Sequence, residues 1–213
     1  MSQVQLQEIY LSKVEECLNR LNACESFLDS YKNSENIYFL ESAILQMRKV
    51  LECVAYAAIA PNEKEYKEFR AKADKQPDYT RDFHAGKILN MLSRINKDFY
   101  LKPVSAPISE GSGKWHFEKR EDESLTKEQF SSFYDRLGKF LHADNPWGND
   151  KGIRNLVDDL PKGIKSIKLL LSWHYTKIST PEFNGVWVVE VPLSGGKPKI
   201  IIGQANGEFL GKG

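Results

Sequence analysis

The sequence predicts a mostly α-helical protein, an antiparallel helical bundle that carries a small C-terminal β-hairpin. Apolar residues recur every three or four positions through most of residues 1–178, which is the spacing of amphipathic helices. The pattern then changes to β-rich runs at 186–191 and 199–203, around the turn sequence Ser194-Gly195-Gly196. We therefore divide the chain into a helical bundle at 1–178 and a β-hairpin appendage at 179–213.

The first predicted helix has one narrow apolar seam. Its members step by alternating fours and threes: Tyr10, Val14, Cys17, Leu21, Cys24, Leu28 and Tyr31. A seam of this width serves either a helical hairpin within the chain or a contact between two copies of it. The break at 32–36 is short, and a short connection favours the hairpin.

The second predicted helix, at 36–60, has an apolar face and a charged stripe. The apolar face belongs to the core, and Pro61 ends the helix. Glu41, Arg48 and Glu52 follow one another along another side. Two interpretations of this stripe stay open: a solvated surface, or a charged set that lines a cleft beside the candidate catalytic residues described below.

The middle of the chain alternates exposed and amphipathic segments. Residues 63–76 are heavily charged and predict an exposed helix or connector, whereas 78–97 return to helical spacing. Residues 101–124 are rich in Pro, Gly, Ser and charge, which predicts an irregular insertion with a short hairpin around Gly111-Ser112-Gly113.

Two further helices follow the insertion. Thr126 and Gln129 have capping-box spacing and predict a helix that runs toward His142, where Asn145-Pro146 prevents its continuation. Apolar spacing predicts the last helix at 151–177, and Pro161-Lys162-Gly163 is expected to kink or divide it.

Composition restricts the classes of function. Thirty basic residues oppose 29 acidic ones, so any phosphate-binding site must be local. The three cysteines have no CxxC spacing and fit a reducing compartment. The N-terminus resembles no signal peptide, and no apolar run is long enough to cross a bilayer, so we expect a cytoplasmic protein without membrane contact.

The candidate chemistry lies in one segment, where Arg136 is followed by His142 near a helix end. On a continuous helix six steps of 100° leave the two side chains about 120° apart, so they converge only if the helix frays or bends. Arginine can hold a phosphate through a planar fork of donors, and histidine titrates near neutral pH. Such a pair could cleave RNA without a metal ion.

The sequence Arg136-Leu137-Gly138-Lys139-Phe140-Leu141-His142 resembles the motif of the HEPN family, an Arg followed after four to six residues by a His. The resemblance covers about residues 3–177 and includes the long helical hairpin that precedes the motif. It implies a helical-bundle ribonuclease of toxin–antitoxin or phage-defence systems, with Arg136 and His142 as the catalytic pair of a homodimer. Leu137 departs from the polar residue that the family often carries after the arginine.

Neighbouring residues complete the candidate site. We assign substrate binding to Arg48, Lys139, Asn145 and Trp147, and supporting roles to Glu41, Glu52 and Asp144. Trp147 either stacks on a base or fixes its loop by apolar contact. His142 and Asp144 offer two metal ligands but no visible third, so we expect neither a metal nor another cofactor.

Two alternatives remain. At the level of residues, Arg136 pairs with a surface carboxylate and His142 caps the helix end. At the level of function, the protein is a non-catalytic interaction module that binds an antitoxin or another partner protein. In that case residues 186–191 form an exposed edge strand to which a partner adds a strand.

Overall fold

The computed structural model describes residues 1–143, 145–148, 152–179, 184–193 and 195–204. The α-helices among them are α1 (Gln3–Ser34), α2 (Ile37–Ile59), α3 (Glu63–Ala71), α4 (Ala85–Ile95), α5 (Lys127–Lys139) and α6 (Leu156–Ser172). The strands are β1 (Lys102–Pro103), β2 (Ile108–Gly111), β3 (Lys114–His116), β4 (Trp173–Ser179), β5 (Asn184–Glu190) and β6 (Lys199–Gln204). No helix in these ranges combines the length and the apolar character that crossing a membrane requires.

Helices α1 and α2 form an antiparallel hairpin. Glu35 ends α1 in the left-handed conformation, with a φ of 54°, and Asn36 caps α2 by accepting a hydrogen bond from the backbone amide of Tyr38. The predicted seam is buried apart from Tyr31, which is partly buried. Two of its thiols contact carbonyl oxygens of α2: Cys17 contacts that of Val50 and Cys24 that of Ala43. In this chain the seam therefore serves a contact between its own helices.

Helix α4 begins later than predicted. Residues 79–81 form a 3-10 turn, and the Phe83 side chain, one of the apolar residues in the helical spacing of 78–97, is 72% exposed. His84 then caps α4, because its Nδ1 accepts a hydrogen bond from the amide of Lys87 at 3.3 Å. The prediction of a helix from residue 78 is wrong because polar capping interactions hold 78–84 in turns.

Helix α6 is continuous through Pro161 but stops at Ser172. Gly163 lies where α6 meets α5, since a Cβ there would stand 2.6 Å from Cε1 of Phe133. The predicted extension to residue 177 is wrong, because Trp173 adopts an extended backbone with a φ of −137° and begins β4. Aromatic and β-branched residues at 173–178 favour a strand once a neighbouring strand is available.

The C-terminal strands belong to a larger sheet than a hairpin. The order is β1-β4-β5-β6, with every pair antiparallel. One face of this sheet closes the helical core, where Trp187 meets Tyr10 of α1 edge-on with 5.8 Å between ring centroids. The broad prediction of a mostly α protein with antiparallel C-terminal strands is confirmed, whereas the sheet recruits two strands that the sequence did not indicate.

The predicted edge strand lies inside the sheet. Residues 186–190 of β5 pair with β4 on one side and β6 on the other, so they offer no free backbone groups. The edges of the described sheet are β1 and β6. Within the insertion, β2 and β3 form the predicted hairpin, and Gly111, Ser112 and Gly113 all have positive φ values in its turn.

Candidate functional site

Helix α5 carries the Arg/His motif to a frayed end. The reciprocal hydrogen bonds between Thr126 and Gln129 begin the helix, as predicted. After Lys139 the backbone tightens, because the amide of Phe140 donates to the carbonyl of Leu137 at 3.2 Å instead of continuing the α-helical pattern. The 120° separation expected on a continuous helix therefore does not apply to His142.

Arg136 projects from α5 toward α6. Its Nη2 lies 2.5 Å from Oδ2 of Asp159, and the arginine side chain is 44% exposed. Lys162 also approaches this carboxylate, with 3.9 Å between Nζ and Oδ1. The predicted alternative for the arginine, pairing with a surface carboxylate, is present in the structure. The Arg136 side chain nevertheless remains partly exposed to solvent.

His142 and the described residues that follow it, 143 and 145–148, are exposed. His142 lies in the bend that follows α5. The side chain of Asn145 accepts a hydrogen bond from the amide of Trp147 at 3.1 Å, which closes a tight turn and leaves the indole 92% exposed. Trp147 therefore does not fix its loop by burial. Asp144, assigned a supporting role, lies outside the described residues.

Arg48 is held against α5 by several contacts with one tyrosine. Its Nη1 donates to the Tyr134 carbonyl at 3.1 Å, its Nη2 donates to the Tyr134 hydroxyl at 2.7 Å, and its guanidinium carbon lies 3.8 Å from the ring centroid. The same hydroxyl donates to Glu52 Oε1 at 3.1 Å, and Glu52 pairs with Arg48 across 3.6 Å. Burial, followed by the nearby Glu52 charge, raises the pKa of Tyr134 to about 12.

The contacts of Arg48 and Arg136 lie on different sides of α5. Tyr134 and Arg136 are two residues apart, so their side chains leave the helix in nearly opposite directions. Arg48 contacts the Tyr134 side, and Asp159 contacts the Arg136 side. The structure thus joins Arg48 and Glu52 through Tyr134, while Glu41 and Lys139 are exposed.

Tyr134 is the residue that sequence reasoning missed. Its place in the apolar spacing of α5 predicts a core side chain, and its ring is indeed buried. Nothing in that spacing indicates that its hydroxyl and carbonyl bind a cation from a helix 86 positions earlier in the chain. The charge stripe on α2 was the available signal, because Arg48 stands one helical turn before Glu52.

A second polar contact is buried beneath the sheet. His174 lies within 2.6 Å of the Tyr10 hydroxyl through Nε2 and 2.9 Å from the Leu171 carbonyl through Nδ1. These partners fit a neutral imidazole that donates from Nδ1 and accepts at Nε2. Complete burial lowers the pKa of His174 to about 4, so this histidine joins α1 to β4 in its uncharged form.

Known proteins do not supply a class for this site. No family model matches the chain, no curated protein matches it, and no solved structure matches its fold. The site is therefore defined by its own residues: an arginine and a histidine, both exposed, near the end of one helix, and an exposed tryptophan five residues after the histidine in the chain.

Proposed function

We propose that the protein is a metal-independent RNA endonuclease, or an inactive descendant of one, of a prokaryotic defence or stress system. The observation that carries the proposal is the exposure of both motif side chains at a helix end that departs from α-helical geometry. A phosphodiester can approach Arg136 and His142 from solvent, and the exposed Trp147 offers a stacking surface close to His142 in the chain.

The proposed reaction is transesterification within the RNA. His142 takes the proton of a 2′-hydroxyl, whose oxygen forms a bond to the adjacent phosphorus while the bond to the 5′-oxygen breaks. Arg136 stabilises the negative charge that gathers on the phosphoryl oxygens. The departing 5′-oxygen takes up a proton, which leaves a 2′,3′-cyclic phosphate and a 5′-hydroxyl.

Assembly completes the proposal. In a homodimer a second copy of the motif could supply the proton for the leaving oxygen, so that one histidine acts as base and the other as acid. The proposal also includes a cytoplasmic location and an antitoxin or other partner protein that restrains the activity.

The test is cleavage of a mixed RNA pool in EDTA by wild type, Arg136→Ala and His142→Ala. His116→Ala is the matched control, because His116 is an exposed histidine of β3 outside the motif. An active nuclease is supported if Arg136→Ala and His142→Ala lose cleavage while wild type and His116→Ala retain it. RNA binding without cleavage by the wild type supports the inactive descendant, and cleavage by His142→Ala contradicts both.

The alternative is a non-catalytic interaction module, and a specific surface favours it. Edge strand β6 exposes Ile201 and Ile202, and beside it lies a groove of about 570 Å³ whose other wall includes Trp115, which is 57% exposed. A partner strand could pair with β6 and cover this apolar surface. Loss of a captured partner on Ile202→Lys, together with normal folding and no RNA cleavage by wild type, would support this function.

A further inference from the structure

A groove between the end of α3 and α4 is lined mainly by cations. It has a volume of about 440 Å³, and its lining includes Arg70, Lys75, Arg81, Lys87 and Arg94. Asp82 is the one carboxylate among its described lining residues. Since the chain as a whole has a formal net charge of only +1, this concentration of positive charge is local.

Two of these cations are already paired. Arg70 contacts Asp82 with 2.9 Å between Nε and Oδ2, in a position where both side chains are nearly buried. Arg81 stands 3.5 Å from Asp78 at the surface. Lys75, Lys87 and Arg94 are exposed and have no ion pair among the residues that the structure describes. An anionic ligand could therefore contact these three without first displacing a protein carboxylate.

The same groove presents an aromatic face. Phe83 lines it and is 72% exposed, although a phenylalanine in the middle of a domain is ordinarily buried. Cations that follow a groove beside an exposed aromatic ring are the combination with which proteins hold single-stranded nucleic acid, through phosphate contacts and base stacking. A purely anionic ligand without bases would have no use for this ring.

One lining residue of the groove contacts the helix that carries the motif. His84 lines the groove, and its ring meets Tyr134 of α5 edge-on, with 5.1 Å between the centroids. This contact lies on the Tyr134 side of α5, whereas Arg136 projects from the opposite side of the helix.

We infer that this groove is a binding surface for single-stranded RNA, with Lys75, Lys87 and Arg94 on phosphates and Phe83 against a base. The inference deepens the proposed function and rests on it for the choice of RNA. It concerns residues that neither the motif nor the predicted substrate-binding set contains.

The test measures binding apart from cleavage. The probe is a short single-stranded 2′-O-methyl oligoribonucleotide, which cannot supply the attacking hydroxyl, and its affinity is followed by fluorescence anisotropy over a range of salt concentrations. The groove variant Lys75→Gln/Lys87→Gln/Arg94→Gln is compared with Lys64→Gln/Lys67→Gln/Lys97→Gln. The control removes the same charge from exposed positions that do not line the groove.

The groove variant should bind about tenfold more weakly or worse, and its salt dependence should fall by about two units of slope, since each single-strand phosphate contact contributes about 0.7. The control variant should stay within about threefold of wild type if local contacts, and not net charge, decide the affinity. Phe83→Ser should weaken binding about fivefold or more through lost stacking, and a duplex of the same sequence should bind less tightly than the single strand.

Three results would overturn the inference: unchanged affinity of the groove variant, equal losses in both triple variants, or a duplex that binds as tightly as the single strand while Phe83→Ser has no effect. Groove-dependent binding by a protein that cleaves no RNA would reject catalysis and leave this surface in place. If the groove variant still cleaves RNA and binds it with unchanged affinity, the nuclease proposal stands and the groove is not the RNA-binding surface.

Discussion

Arg48 of α2 stacks on the ring of Tyr134 of α5, with 3.8 Å between the guanidinium carbon and the ring centroid, and donates to both oxygens of that residue. The arrangement joins the long helical hairpin to the helix that carries the motif. The charge of Arg48 faces Tyr134 and Glu52, so this arginine positions α5. The substrate-binding role that the sequence suggested for Arg48 is therefore less well supported than that of an unpaired cation.

Tyr134→Phe should lower the free energy of unfolding by about 1–2 kcal/mol, because it removes a hydroxyl that accepts from Arg48 and donates to Glu52. Urea unfolding measures the change. Tyr38→Phe is the control, since Tyr38 is 71% exposed and its hydroxyl should contribute almost nothing. Equal effects of the two substitutions would show that the hydroxyl contacts do not stabilise the α2–α5 contact.

Gly138→Ala should be unfavourable only while Arg48 is present. A Cβ at this position would stand 2.5 Å from Arg48 Nη1, so the guanidinium would have to leave Tyr134. In an Arg48→Ala background the same substitution should stabilise α5 by up to about 1 kcal/mol, the usual gain of alanine over glycine in a helix.

The four proteins of this double-mutant cycle can be compared by thermal or urea unfolding. A coupling energy of about 1 kcal/mol or more is expected for two residues in direct contact. Additive effects would mean that Arg48 moves aside without cost, contrary to the role assigned to it above.

Stability should depend on pH through His174. Its folded-state pKa, lowered to about 4 by burial, lies below the unfolded value near 6.5, so the unfolded chain binds the proton first. The contribution of His174 to the free energy of unfolding is fully present above pH 6.5. It is lost as the pH falls from about 6.5 to 4, and the loss amounts to about 3 kcal/mol in total.

His174→Leu should be less stable than wild type at pH 7, because Tyr10 and the Leu171 carbonyl lose a partner. It should also have a flatter pH dependence between 4 and 6.5. His116→Leu, at an exposed position, should keep the wild-type slope. A slope that His174→Leu leaves unchanged would mean that this histidine does not control the acid transition.

Asp159→Asn should strengthen the binding of RNA and have only a small effect on stability. The Arg136–Asp159 pair is partly exposed, and such pairs contribute at most about 1 kcal/mol. Without the carboxylate, the Arg136 guanidinium can interact with a phosphate without a competing partner. Because the lost ion pair contributes about 0.5–1 kcal/mol, the KM for RNA should fall by about two- to fivefold in steady-state assays. Asp29→Asn, in an exposed pair with Lys32 on α1, should leave KM unchanged.

The sequence was sufficient for the elements with strong local signals. The seam of α1, the capping box at Thr126 and the turn at 111–113 were predictable because each depends on residues within one or two turns of chain. Strand β4 was not predictable, because residues 173–177 continue the helical spacing of α6. Only the pairing with β5 decides their conformation.

The sequence was sufficient to identify the candidate residues of the site, but it did not indicate which residues they contact. Arg136 and His142 are recognisable from spacing, but the approach of Asp159 depends on how α6 packs against α5, where Gly163 admits Phe133. The groove at 70–94 escaped sequence reasoning for a related reason. The turn at 79–84 leaves Phe83 exposed instead of continuing a helix.

The most direct measurement is the chemistry of the RNA ends that the purified protein produces in EDTA. Transesterification by His142 and Arg136 predicts 2′,3′-cyclic phosphate and 5′-hydroxyl ends for wild type, no product from His142→Ala, and no cleavage at a nucleotide whose 2′-hydroxyl is replaced by hydrogen. Ends that carry a 5′-phosphate, or wild-type rates in His142→Ala, would contradict the account. An intact RNA pool after incubation with the wild type would reject the active nuclease and leave only the inactive descendant.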